Sequence, residues 1–329
     1  MTGSSASNPL GPSLEGDQAS PPIPLLPSGY ARKRLARPGW TLSILLFFAT
    51  FLSTTLAGLF YATGEGDLLW ILGTSFRSPS MLLLGLPFSF TLMGILLAHE
   101  MGHYLACRYH GIRCTPPYFI PLPISFIGTL GAFIRIKSPF RDKKVLFDVG
   151  VAGPFAGFVF ILPALAIGIR YSEIVPKGAL EEGIFFGEPL LFRWIAQLVL
   201  GYSPATQDMI AHPIAIAAWF GVLATCLNLL PIWQLDGGHI AYAILGRERQ
   251  RRLSIAATVA LVMVSFLGWP MLSYLAFGLL LLIFGARFRF YHPPTLFDEA
   301  GLNRRRVILG LLALLVLAVS FTPVPFSIS

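Results

Sequence analysis

The sequence predicts an all-α polytopic membrane protein, with about seven transmembrane helices and a re-entrant loop or short β-hairpin between the second and third. Three observations carry this. The 329 residues are 55% hydrophobic and only 12% charged, with a mean hydropathy of +0.70. Apolar runs of about 20 residues, long enough to cross a bilayer's hydrocarbon, recur along the chain. The basic residues behind the net charge of +8 cluster between those runs. That pattern orients helices in a lipid bilayer, and no basic, aromatic-interleaved strip exists to bind nucleic acid.

Residues 1–39 are rich in Pro, Ser and Gly and read as a disordered tail. No signal peptide is visible, and the first thirty residues lack the Arg and Lys of an organelle transit peptide. Arg32, Lys33, Arg34 and Arg37 precede the first apolar run, 40–62, which puts the N-terminus on the cytoplasmic side. The second span, 81–106, returns inward and is followed by Arg108, Arg113, Arg135, Lys137, Arg141, Lys143 and Lys144. Residues 116–136 are apolar but broken by four prolines, too irregular for a spanning helix. They read as the re-entrant loop or hairpin, with 132–136 as its strand-like part.

The third span, 148–169, opens with Gly150, Gly153 and Gly157, a small-residue face for close helix approach. The acidic stretch 171–210 belongs outside and includes 190–200, a surface-lying helix. Residues 211–233 span inward. Residues 253–286, broken at Gly268-Trp269-Pro270, read as a helical hairpin, and 307–321 as the last span. The membrane domain is thus 40–322, with its core over 81–246, and 323–329 form a C-terminal tail. Cys107, Cys114 and Cys226 make no disulfide framework and read as small apolar packing residues.

The chemistry concentrates at residues 96–111, LLAHEMGHYLACRYHG, where His99, Glu100 and His103 form H-E-x-x-H. On a helix, His99 and His103 lie one turn apart on one face, a spacing that suits Zn²⁺, and Glu100 beside them suits a general base. Ionisable groups inside a membrane span are costly and call for a functional reason.

A catalytic zinc site needs a third protein ligand reaching the same depth from the same side. Asp236, His239, Asp148 and His110 are the candidates; His212 lies near the outer side and His292 in a cytoplasmic loop. Asp236 is the best of them. It sits in LDGG, where Gly237 and Gly238 permit unusual backbone conformations, and Pro231 interrupts the preceding helix. Asp148 doubles as an N-cap candidate, and His239 and Asp148 as partners around the metal ligands. Asn228, inside an apolar span, either serves the site or bonds a neighbouring helix.

HEMGH on one span and NLLPIWQLDGG on a later one together resemble the site-2 protease family of intramembrane zinc metalloproteases. GTLGAF (128–133) and DVGVAGPFAG (148–157) resemble family segments between the two motifs. The resemblance covers 82–246. It implies one Zn²⁺ held by His99, His103 and Asp236, with Glu100 activating water and Asn228 holding the scissile region. The implied substrate is a transmembrane protein cut in or near its helix. The chain resembles the compact branch without PDZ or CBS modules. The expected location is a bacterial inner membrane with the active site toward the cytoplasm, a plastid membrane being the alternative. The alternative function is an inactive scaffold or a transporter; the intact Glu100 and the lack of matching internal halves count against these.

Overall fold

The computed structural model describes residues 39–64, 68–179, 183–268, 272–297 and 301–328. The expected N-terminal tail therefore lies outside the described residues, apart from Gly39.

The described chain is mostly helical, and four helices are long and apolar enough to cross a membrane. These are α1 (Trp40–Thr63), the stretch Pro79–Tyr109 that contains α3 (Leu82–Tyr109), α4 (Lys143–Arg170), and Arg247–Gly268, which contains α8 (Arg247–Ser265). A short α2 (Leu68–Arg77) precedes α3. α6 (Pro213–Leu229) and α9 (Leu275–Arg287) are apolar but only 17 and 13 residues long. α10 (Arg304–Ser320) opens on three arginines. Four helices rather than seven thus meet the length and apolarity a span requires. The expected hairpin does divide into α8 and α9, and its break falls partly outside the described residues.

α1 shows why this sequence folds in lipid. Leu45, Phe48 and Leu52, at helical spacing, stay 63%, 64% and 56% exposed, whereas its buried face is Ser43, Thr50, Ser53, Thr54, Thr55, Ala57 and Gly58, with Leu59 the one large apolar residue among them. Small and hydroxylated residues face protein and large apolar ones face outward, the arrangement of a membrane helix. Gly58 and Gly85 let α1 and α3 touch backbone to backbone: a Cβ on Gly85 would lie 2.1 Å from the Thr55 carbonyl oxygen. The hydroxyls of Thr54 and Ser89 hydrogen-bond across the same crossing at 2.7 Å.

Between α3 and α4, β1 (Tyr118–Pro121) and β2 (Thr129–Phe133) pair antiparallel. The strand comes three residues earlier than the sequence suggests; beyond it only Ile136 bridges, to Cys114. Prolines 116, 117, 121 and 123 keep the segment from becoming helix. α1 holds it, with the Ser43 hydroxyl donating to the Pro117 carbonyl and the Ser53 hydroxyl to the Gly128 carbonyl at 2.6 Å. Gly128 is required there, since φ is +80° and a Cβ would lie 2.6 Å from Thr54 Cα.

Past the C-terminal end of α4, β3 (Glu173–Pro176) pairs with β5 (Gln207–Ile210), and β4 (Ile184–Phe186) pairs with β6 (Phe326–Ile328). These three two-stranded sheets qualify the all-α expectation. Within the segment expected as a C-terminal tail, 323–329, residues 326–328 form β6 and complete a sheet. α5 (Leu190–Leu200) has the expected bounds and buries Leu191, Phe192 and Ala196 in the main core, which α3, α4 and α6 supply from their facing sides. α7 (Asp236–Leu245) follows a short loop after α6 and packs on α4.

Candidate active site

Three helices converge on the site. α3 contributes His99, Glu100 and His103, all buried. α7 contributes Asp236 as its first residue. α4 contributes no ligand but provides the room. A Cβ on Gly153 would lie 2.1 Å from His103 Nε2, and one on Gly157 would lie 3.2 Å from His99 Cβ. A Cβ on Gly150 would meet that of His239 at 3.0 Å. The glycine stripe therefore seats three imidazole side chains, a more specific use than helix contact alone. At Gly102 a Cβ would sit 2.4 Å from the Ala152 carbonyl oxygen, so α3 and α4 are also in backbone contact.

Gly237 and Gly238 are helical, and neither has positive φ. Glycine is needed at both for proximity rather than for conformation. A Cβ on Gly237 would lie 1.9 Å from the Leu229 carbonyl oxygen, and one on Gly238 2.3 Å from that of Trp233. This corrects the sequence-based reason for the pair while preserving its role, which is to bring Asp236 back against the end of α6.

The donor atoms converge. Asp236 places one carboxylate oxygen 3.2 Å from His99 Nε2 and the other 3.2 Å from His103 Nε2. One donor atom from each of the three residues lies within 4.8 Å of the others. His103 Nδ1–H donates to the Val149 carbonyl at 2.8 Å, so Nε2 carries the lone pair. Two imidazole nitrogens and one carboxylate form the donor set of a catalytic zinc site, with a coordination position left over. The residues present fit the ion.

A cavity of about 200 Å³ opens on these groups. Glu100 lines it, as do Ala132 and Phe133 at the end of β2 and Ile134 just beyond. Asn228, on the last turn of α6, puts Nδ2 3.4 Å from His99 Nε2 and also lines the cavity. His239 lines it as well.

Asp148 is engaged elsewhere. Arg306 of α10 grips both its oxygens at 2.7 Å, and His110 Nε2 lies 3.1 Å from one of them. The N-cap of α4 is Asp142, whose carboxylate accepts from the Lys144 and Val145 amides. The cap role considered for Asp148 is corrected: it sits six residues past Asp142, inside α4, and its carboxylate pairs with Arg306 and His110. His212 caps α6. His292, dismissed as a loop residue, bonds His239. No local pattern marks a histidine in YHPP for such a role, and Val149 acts through its carbonyl, a group that any residue possesses.

A bundle of apolar helices thus encloses two histidines, an aspartate and an adjacent glutamate. The family model described as Peptidase family M50 matches residues 87–269. The chain belongs to that family, the family of the site-2 proteases. It is similar to the "Probable zinc metalloprotease EGY1, chloroplastic" of Oryza sativa subsp. japonica, 30% identical over 89% of this chain and 53% of that one. To the "Probable zinc metalloprotease EGY2, chloroplastic" of Arabidopsis thaliana it is 33% identical over 80% and 45%. The chain thus spans about half the length of the curated relatives it matches. No solved structure matches it.

These names overturn the expected bacterial inner membrane, since the relatives are chloroplastic. Basic loops tell which side of a membrane a loop faces and carry no information about which membrane it is.

Proposed function

We propose that the chain is an intramembrane zinc metalloendopeptidase that hydrolyses a peptide bond in or beside a transmembrane helix of a substrate protein. One observation carries the reading. Asp236, 133 residues beyond His103 in the chain, closes with His99 and His103 into a single donor set beside buried Glu100. The relatives' names point to a plastid membrane as its setting.

When bound by His99, His103 and Asp236, Zn²⁺ supplies a Lewis acid that acidifies water and polarises a carbonyl. Glu100 takes the proton of the attacking water and returns it to the leaving amine. The Val149 carbonyl fixes the His103 ring through Nδ1. Asn228 presents its amide at the cavity wall, where it holds the scissile carbonyl. The substrate segment must leave its helix before its carbonyl can reach this cavity, because helical hydrogen bonds already occupy it.

We also infer that α6, α9 and α10 cross the bilayer with the four long helices, giving seven spans, and that 116–136 enters the membrane without crossing it. α6 and α9 are apolar apart from their last turns, which hold Asn228 and Arg287, and Pro213 and Pro231 limit the length of α6.

The test uses the purified full chain, its zinc content, and cleavage of a single-span test protein. Wild type should bind one zinc and cleave. Glu100→Gln should keep the zinc and lose cleavage, since it removes the base and no ligand. Asp236→Ala should lose both. Undiminished cleavage with Glu100→Gln would rule out this mechanism, and full zinc occupancy with Asp236→Ala would move the third ligand elsewhere.

A further inference from the structure

Residues 289–297, after α9, pass beside the site, where His292 meets His239. They are pinned on both sides of His292. Before it, Arg289 and Phe290 take φ of +56° and +57°, a region costly for such side chains. The Phe290 amide donates to the Gly285 carbonyl at 2.6 Å, and its ring fills the space a side chain at Gly285 would occupy. Arg247 and Arg251 stack on Tyr291 at 4.6 and 4.9 Å. After it, the Leu296 and Phe297 amides donate to the Phe140 and Arg141 carbonyls at 3.0 and 2.9 Å, beside the cap of α4.

Between these anchors His292 is 2% exposed. Its Nδ1 lies 2.6 Å from the Pro293 carbonyl oxygen and its Nε2 2.6 Å from His239 Nδ1. A carbonyl only accepts, so His292 Nδ1 carries a hydrogen, and in the neutral ring Nε2 is the acceptor. His239 Nδ1 must then donate, which leaves the lone pair of a neutral His239 on Nε2. Phe140 and Tyr242 flank the pair, with ring centroids 6.0 Å from His239 and 4.6 Å from His292. His292 lies beyond residue 269, where the family match ends.

We infer that His292 is a positioning residue for the peptidase site: it fixes His239 in the Nδ1–H tautomer, so that His239 offers the cavity a hydrogen-bond acceptor at Nε2. That acceptor takes an N–H of the unwound substrate segment. A free histidine prefers the opposite tautomer and would present a donor there. The inference rests on the peptidase reading for its purpose but not for its geometry.

The experiment compares the full chain with His292→Leu, His292→Gln, His239→Leu and the double Leu variant, using zinc content, kcat, KM and ¹⁵N-histidine NMR. His292→Leu should lower kcat about tenfold with KM and zinc unchanged. His292→Gln, whose side-chain oxygen still accepts from His239, should restore most of it. In the His239→Leu background, His292→Leu should cost nothing further, because the two act as one unit. Additive losses, an unaltered kcat, or loss of zinc would overturn the inference. The His239 ring signal, identified by its absence in His239→Leu, should report Nδ1–H in wild type; Nε2–H there would overturn it without any activity measurement. If His292→Leu fails to fold, the Gln variant and that ring signal decide the matter. A wild type that binds zinc and cleaves nothing would bring down the peptidase reading, and the ring signal would still decide the His292–His239 arrangement.

Discussion

Gly153 lies against the face of His103, so close that a methyl group there would sit 2.1 Å from Nε2 and 2.4 Å from Cδ2. The nitrogen proposed to bind the metal and the space it occupies thus come from different helices. On α4 the next glycine of the stripe, Gly157, leaves more room, with its nearest approach to His99 at 3.2 Å.

Gly153→Ala should therefore displace the His103 ring and lower zinc affinity about tenfold or more, whereas Gly157→Ala should change it little. Zinc titration of the two purified variants checks this. Equal affinities would mean that α4 gives way and does not set the ring's position.

Gly237→Ala brings a methyl group to 1.9 Å from the Leu229 carbonyl oxygen, a backbone atom with nowhere to go. It should cost about 3 kcal/mol, at the upper end of overpacking, and move Asp236 off the site. Gly94→Ala, in α3 with open space around the added methyl, is the matched control and should be neutral or slightly stabilising. Thermal unfolding with and without zinc separates the two.

Asp142 gives a pH prediction. Burial raises its pKa, but the Val145 amide, the Arg141 guanidinium and the Lys144 amide together hold it below the usual carboxylate range. The unfolded chain then binds more protons in that interval. The cap's charge-dependent stabilisation is complete above the ordinary carboxylate pKa of about 4 and fades as pH falls through the lowered value. Asp142→Ala should cost about 1 kcal/mol at neutral pH, with the gap to wild type closing below pH ~4. Asp142→Asn, which keeps the cap, should lose the pH dependence first. Unfolding across that pH range tests the sign.

Much of the fold was legible because the membrane imposes length and composition on each span separately. α1, α3, α4 and α5 follow from runs of apolar residues, and the prolines of 116–123 exclude a helix. The count of seven was not reached by the same criterion. α6 and α9 are shorter than a bilayer requires, and whether a short apolar helix crosses depends on its neighbours. The strand pairing of β4 with β6 joins residues 184–186 to 326–328, a separation no local pattern encodes.

The sequence by itself determined the chemistry of one helix. H-E-x-x-H on a single turn places two imidazoles on one face whatever else folds, because helical geometry is local. The motif in NLLPIWQLDGG marked Asp236 through its resemblance to a family. Only the tertiary structure decided how these parts meet. It showed that Gly237 and Gly238 serve proximity, that the glycines of α4 seat the histidines, that Asp148 belongs to Arg306, and that His292 grips His239. Each is a distance between segments far apart in the chain, set by backbone packing and by carbonyl and amide groups common to every residue. Such contacts leave no composition or spacing to read until the helices are packed together.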